Sequence, residues 1–482
     1  MSRNASFDPL GATILGISVQ MYGWCMNQAE SIFRATTDDL MSLVSERGST
    51  PQQIGAVLLL HAGHGLEPAW AFDLLAQRIT SVPQLRQCLV NTPFGCGRPV
   101  WIDEPSFKIA NHVTTLPCPA PGGESVVLGI AAELIGRRLP RDRPLWAATL
   151  VTDTAPGEAA LILVFHHVLA DGIGGLAVLA GLVDGAGENP VTQGRGTLMR
   201  FTPEVADSGF PRPGPSRTQL AVDAALGRIC SLRRLPAALR RIGNAAAELY
   251  PAVRVRAAPT SLNRPTGPGR TFVIVRAEVN MVHRVARLHG ATVNDVVLTS
   301  VASALQRLLE RRGEHVDEIV ISVPFSDRRQ DSRGNLGNHS GVIPLTIPAV
   351  GDPVTRLNAV AELTRAAKQK PPGASTAVLS PLFRLLARVG LYRRFITSQR
   401  LIHTFASTIR GTEIGQALFG CPITGILPLS VPTGNITVSF VVLSYAGELA
   451  VTIAADPDAC PDVAVLGEIL AQEFLDLESL AV

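Results

Sequence analysis

The chain has 482 residues, too long for one compact core and long enough for two domains of ordinary size. Hydrophobic residues make up 46% and charged residues 17%, which excludes a disordered chain. The formal net charge of +3 is too small to argue for a nucleic-acid partner, and lysine occurs only at Lys108, Lys368 and Lys370, so the positive charge is nearly all arginine. The apolar stretch over 10–24 is short, broken by glycine and polar residues, and has no basic flank or small-residue cleavage site. It reads as neither a signal peptide nor a spanning helix. Cys25, Cys88, Cys96, Cys118, Cys230, Cys421 and Cys460 are scattered without a Cys-x-x-Cys pair. They are expected to be free thiols in a reducing cytoplasm.

Hydrophobic periodicity predicts a strand over 55–60, a helix over 69–79 and an amphipathic helix over 124–138. Arg143-Pro144-Leu145-Trp146 then opens a strand over 146–151, and a turn leads into a second apolar run over 159–165. That run delivers His166-His167, and Asp171-Gly172 follows as a turn before a helix expected over 176–183. A proline- and glycine-rich stretch over 203–215 reads as a linker, and 219–253 is helical and basic, with Arg228, Arg233, Arg234, Arg240 and Arg241 among leucine and isoleucine. Two readings of that segment stand side by side: a helix lying on an anionic membrane surface, and a crossover helix with its arginines in water. An α/β pattern restarts after residue 268. It has a strand over 271–275, a helix over 279–289, Thr292 as N-cap of a long helix to Glu310, and strands over 318–323 and 342–347. Helices over 354–368 and 381–397, a hairpin of 436–444 with 449–455 and a closing helix over 463–477 complete the chain. The expected units are an extension over 1–31, an α/β half over 32–195, a linker over 196–268 and a second half over 269–482.

A histidine at a strand end, at the mouth of a turn, is rigidly held while its ring faces a cleft, which suits a general base. An ordinary pKa of about 6.5 leaves the ring mostly neutral at cytoplasmic pH and able to take a proton. His167 is the expected base. His166, on the other face if alternation continues, is expected to be packed or structural. Asp171 is expected to fix the turn through an arginine pair rather than to move a proton. The plain alternative is two core histidines capping a strand. For Asn294-Asp295, at the start of the long helix, simple capping is the plain reading. His61-Ala62-Gly63-His64 lacks a nearby third ligand, so no metal is expected. The absence of Gly-x-Ser-x-Gly and Gly-x-x-x-x-Gly-Lys argues against a serine hydrolase and a phosphate loop.

The order of these motifs resembles the bacterial bifunctional wax ester synthase/diacylglycerol acyltransferase family, within the CoA-dependent acyltransferase superfamily. Arg143-Pro144-Leu145-Trp146, the His166-His167 to Asp171-Gly172 stretch and Thr292-Val293-Asn294-Asp295 carry the likeness. Leu336-Gly337-Asn338 and Leu443-Ser444-Tyr445-Ala446-Gly447 extend it, and Val82-Pro83, Leu85-Arg86 and Gly97 to Asp103 match more loosely. The resemblance implies an α/β fold of the α+β type, with two chloramphenicol-acetyltransferase-like domains joined by a helical crossover. The site would lie in a channel between them, lined by Pro144, Leu145 and Trp146. His167 would activate a lipid alcohol such as diacylglycerol for direct attack on acyl-CoA, a substrate, with no cofactor. His166, Asp171 and Gly172 would support it, and Asn294 and Asp295 would complete the site from the second half. A peripheral place on the membrane or on lipid droplets is a further implication. Ser407-Thr408-Ile409-Arg410-Gly411-Thr412 departs from the family's Ser-Asn-Val-Pro-Gly-Pro, which bears on the acceptor, and residues 1–31 have no counterpart. A transferase using carrier-protein-bound acyl chains and a catalytically weak droplet-coating protein are the alternatives.

Overall fold

The computed structural model describes residues 32–36, 39–40, 42–43, 46, 51–63, 66–169, 172–184, 209–230, 256–326, 340–369, 386 and 391–479. The stretch over 10–24, His64, Asp171, the basic segment beyond residue 230, the 336–338 signature and most of the helix expected over 381–397 lie outside them.

In the first half the elements are β1 (Gln53–His61), α1 (Pro68–Ile79), β2 (Gln87–Val90), β3 (Val100–Asp103), β4 (Val113–Pro117), α2 (Glu124–Gly136), β5 (Trp146–Ala155), β6 (Glu158–His166) and α3 (Gly172–Leu182). A helix over 217–230, α4, follows. The apolar runs of β1 and β6 are unbroken because both faces of their sheet are covered. Leu58, Leu60, Leu161 and Leu163 pack with Ala71, Leu75 and Ile79 of α1. Val57, Ile162 and Val164 pack with Val127, Ala131 and Ile135 of α2. Gly55 allows β1 and β6 to close, since a Cβ there would collide with the carbonyl oxygen of Leu163.

The second half contributes β7 (Thr271–Glu278), α5 (Val279–Leu288), α6 (Val293–Arg311), β8 (Glu318–Ser326), β9 (Ser340–Pro348), α7 (Pro353–Gln369), α8 (Tyr392–Ile396), β10 (Thr404–Arg410), β11 (Ala417–Leu418), β12 (Cys421–Leu429), β13 (Val438–Tyr445), β14 (Glu448–Ala455) and α9 (Val463–Ser479). Its sheet runs β7-β14-β13-β10-β8-β9. Side chains of α6 and α9, among them Leu298, Leu305, Leu470 and Phe474, bury one face against Phe440, Val442 and Val451. The β13–β14 hairpin turns at Ala446 and Gly447, both at positive φ, where the sequence places it.

One segment crosses the division drawn from sequence. β11 and β12 leave the second half and join the first sheet, whose order is β11-β12-β1-β6-β5-β4. β12 pairs antiparallel with β1, setting Gly55 opposite Leu429 and Leu58 opposite Ile426. Leu427 and Leu429 of β12 share a cluster with Phe272, Ala450 and Ala454 of the second sheet. The crossing strand is therefore also the seam between the sheets. Neither it nor the edge strands β2, β3 and β4 stands out in the sequence, because a short apolar run does not say which sheet it joins.

Candidate active site between the halves

β6 ends on His166, and residues 167–169 form a turn, a few residues before the Asp171-Gly172 turn read from the sequence. Three backbone bonds pin it. His166 N–H donates to Leu145 O at 3.0 Å, His167 N–H to Gln52 O at 2.8 Å, and Leu169 N–H to His166 O at 2.9 Å. The Pro-Leu-Trp stretch is the neighbouring strand start, with Trp146 in register with Phe165. Pro144, Leu145 and Trp146 are buried. Trp146 Nε1 donates to Leu85 O at 2.7 Å, and the His112 ring stacks on its indole with centroids 4.6 Å apart. Burial, with Arg143 nearby, pushes the His112 pKa down against the bond to Trp146 O, so a neutral ring lies on the indole. These side chains brace the strand that carries the histidines.

The two histidines have different surroundings, as alternation leads one to expect. His166 is 1% exposed. Its Nδ1 accepts the Val168 N–H at 3.0 Å, and its Nε2 faces the Glu46 carboxylate at 3.4 Å, an electrostatic contact longer than a tight hydrogen bond. Glu46 is itself buried and also meets Arg141. Burial pushes the Glu46 carboxyl up, but the contacts with His166 and Arg141 outweigh it and lower it to about 2. Glu46 escapes the sequence reading entirely. It sits in a polar Ser-Glu-Arg-Gly-Ser stretch that looks like any loop, more than a hundred residues from its partner.

His167 is half-buried. It lies between Phe165 and Leu169, which belong to an apolar cluster containing Trp146 and Leu179. The same cluster takes Leu443 and Tyr445 from β13, with Ile409 of β10 packed against it. Tyr445 meets that cluster at its far end, where its hydroxyl reaches the carbonyl oxygen of Ile423 and Ile423 pairs with Leu60. α3 begins at Gly172, four residues earlier than periodicity indicates. At its far end Asp184 accepts the N–H groups of Phe419 and Gly420, at 3.1 and 2.6 Å, which ties it to the crossing segment.

The divergent 407–412 segment forms the end of β10 and the turn after it. Ser407 to Arg410 pair in parallel with Val441 to Ser444. Gly411, which the family pattern shares, stands where a Cβ would collide with Ser444 O. The Thr408 hydroxyl is buried with no hydrogen-bond partner.

Asn294 and Asp295 open α6, as expected, and the capping reading describes Asp295. Its Oδ2 accepts the Thr292 N–H at 2.8 Å while the Thr292 hydroxyl accepts the Asp295 N–H at 3.3 Å, a closed capping box. Its Oδ1 accepts the Thr364 hydroxyl at 2.7 Å. These bonds all run within the second half and occupy both oxygens. Asn294, the second residue of the helix, is half-buried. His61 ends β1, well away from the histidine turn in the β1–β6 register.

Two six-stranded sheets, each with its own helical layer and joined along β12, define a two-domain α/β class. The catalytic-domain model of the wax ester synthase/diacylglycerol acyltransferase family matches residues 36–297, and the family's C-terminal domain matches 336–478. A Mycobacterium tuberculosis protein named "Probable diacyglycerol O-acyltransferase" is 29% identical over 401 residues, covering 81% of this chain and 84% of its own. The wax ester synthase/diacylglycerol acyltransferase of Marinobacter aquaeolei VT8 superposes with a TM-score of 0.67 at 20% identity, over 93% of this chain and 99% of that one. The first condensation domain of the calcium-dependent antibiotic synthetase superposes with a TM-score of 0.62 at 16% identity, over 93% and 97% of the two chains, a likeness of fold alone. The chain belongs to the wax ester synthase/diacylglycerol acyltransferase family and is an acyltransferase.

Proposed function

We propose that this chain joins a fatty acyl group from acyl-CoA to the free hydroxyl of diacylglycerol, giving triacylglycerol, with fatty alcohols as a second acceptor class. The observation that carries the reading is the position of His167, half-buried in the turn after β6 between the buried Phe165 and Leu169. An apolar, water-poor border keeps hydrolysis from competing with transfer to an alcohol. In the proposed step the alcohol oxygen attacks the thioester carbonyl while His167 takes the hydroxyl proton. The C–S bond breaks, and the imidazolium returns the proton to the CoA thiolate, leaving ester and free CoA. Asp171 and Gly172 are proposed to shape the turn. Asn294 is proposed to donate to the developing oxyanion or orient substrate from the positive end of α6, with Asp295 holding that helix start in place.

The test is release of CoA from palmitoyl-CoA in the presence of diacylglycerol, with His167→Ala as the blank. Ester formation that is lost in the variant supports the reading, and no CoA release from the wild type overturns it. Turnover with acyl-carrier protein but not acyl-CoA would transfer the chain to the condensation-type alternative.

We also propose that α4 meets an anionic lipid surface. No helix among the described residues is long and apolar enough to cross a membrane. Val222, Leu226 and Ile229 nevertheless form an exposed i, i+4, i+7 stripe, opposite the packed Leu220 and Ala224. Phe94 stands fully exposed on the loop that α4 touches through Arg228 and Gly95, and Arg217 and Arg228 are exposed beside it. Apolar side chains flanked by arginine are what an anionic interface attracts. Flotation with phosphatidylglycerol vesicles checks this. Binding lost in Leu226→Glu/Ile229→Glu supports it, and unchanged binding overturns it.

A further inference from the structure

The His166 ring is hydrogen-bonded at Nδ1, and its buried Nε2 has the Glu46 carboxylate as its charged neighbour. Because Nδ1 accepts the Val168 N–H, the neutral ring carries its proton on Nε2, the nitrogen that faces Glu46. The residues on either side of His167 are therefore joined to each other: His166 through its ring, Val168 through its amide. Glu46 is the outer anchor of that link, and Arg141 neutralises it from the other side. A carboxylate this deeply buried is costly unless paired, and its partners here keep it ionised throughout the working pH range.

We propose that Glu46 is a positioning residue for the reaction: its carboxylate holds His166 in one tautomer and one orientation, and through the His166–Val168 bond fixes the backbone that presents His167. This rests on His167 being the base. It extends the site to a residue far along the chain that touches neither substrate nor the reacting atoms. The logic is that of an orienting carboxylate behind a histidine, moved one residue along so that it acts on the neighbour of the base.

Glu46→Gln keeps the shape and removes the charge. The expected result is a kcat lower by about tenfold to a hundredfold, with the acyl-CoA KM changed by less than about twofold. Glu46→Asp, which retains the charge, is expected to recover part of the loss. A wild-type kcat in folded Glu46→Gln, or a changed KM with kcat intact, overturns the proposal. A second test reads the ring in the wild-type protein, through the imidazole 15N spectrum of the histidine-labelled chain. His166, identified by its missing signal in His166→Gln, should show a protonated Nε2 and a bare Nδ1, and the opposite pattern overturns the proposal. His167→Ala separates the two levels. If it stays fully active, both this inference and the reading of His167 fall. If it is inactive while Glu46→Gln is normal, only this inference falls.

Discussion

The histidine turn and the start of α6 make an instructive pair. Each is a polar motif at the junction of an element and a loop, one in each half, and each resembles a family signature. Their polar atoms are used differently. Asp295 is 2% exposed and both its oxygens accept hydrogen bonds from threonines of its own half. His167 is half-buried in the turn after β6, while its neighbour His166 is buried and accepts the Val168 N–H. A polar residue whose bonding capacity is filled by its own scaffold holds structure. Under the proposed function, chemistry falls to His167 in the turn after β6.

That contrast breaks or sharpens under substitution. The largest effect is expected in His167→Ala: CoA release lower by about a hundredfold to ten-thousandfold, at a melting temperature close to the wild type. Loss of stability with normal activity per folded molecule would reverse the assignment. Asp295→Ala should do the opposite. Losing the capping box and the Thr364 bond is expected to cost about 2 kcal/mol in urea unfolding, while activity per folded molecule survives. A collapse of activity at normal stability would make Asp295 part of the chemistry.

The next effect is pH-dependent. The Glu46 carboxyl is lowered from 4.5 to about 2 by its partners, so its pairing contributes stability above the unfolded value and loses it as the pH falls through that window. The difference in urea midpoint between wild type and Glu46→Gln should be full at neutral pH and shrink below about pH 4. A constant difference would show that the contact is not one of charge. The smallest effect is expected at the unpartnered Thr408 hydroxyl. Thr408→Val should leave stability unchanged or raise it by up to about 1 kcal/mol. A drop in turnover there with diacylglycerol but not with fatty alcohol would place the divergent segment at the acceptor.

Most of the scaffold near the site is legible in the residues. The strands around His166, the Thr292 cap and the hairpin at Ala446-Gly447 follow from local patterns: apolar runs, a capping triplet, a turn that tolerates positive φ. The crossing segment is not legible. β12 looks like any buried strand, and pairing with β1 rather than with its own half brings together residues more than 360 positions apart. Glu46 is hidden for the same reason, since its role depends on Arg141 and His166, which no spacing along the chain connects to it. The Pro-Leu-Trp stretch is visible, but its burial behind the histidine strand appears only once β5 and β6 are paired.

The sequence by itself determined the α/β fold class, the family and the histidine pair at a strand end, because these rest on periodicity and motif order along the chain. Only the tertiary structure decided that β12 seams the sheets together, that Asp295 is consumed by its own helix cap, and that Glu46 stands behind His166. Those facts depend on which distant groups satisfy one another's charge and hydrogen bonds, and burial settles that only when the chain has folded.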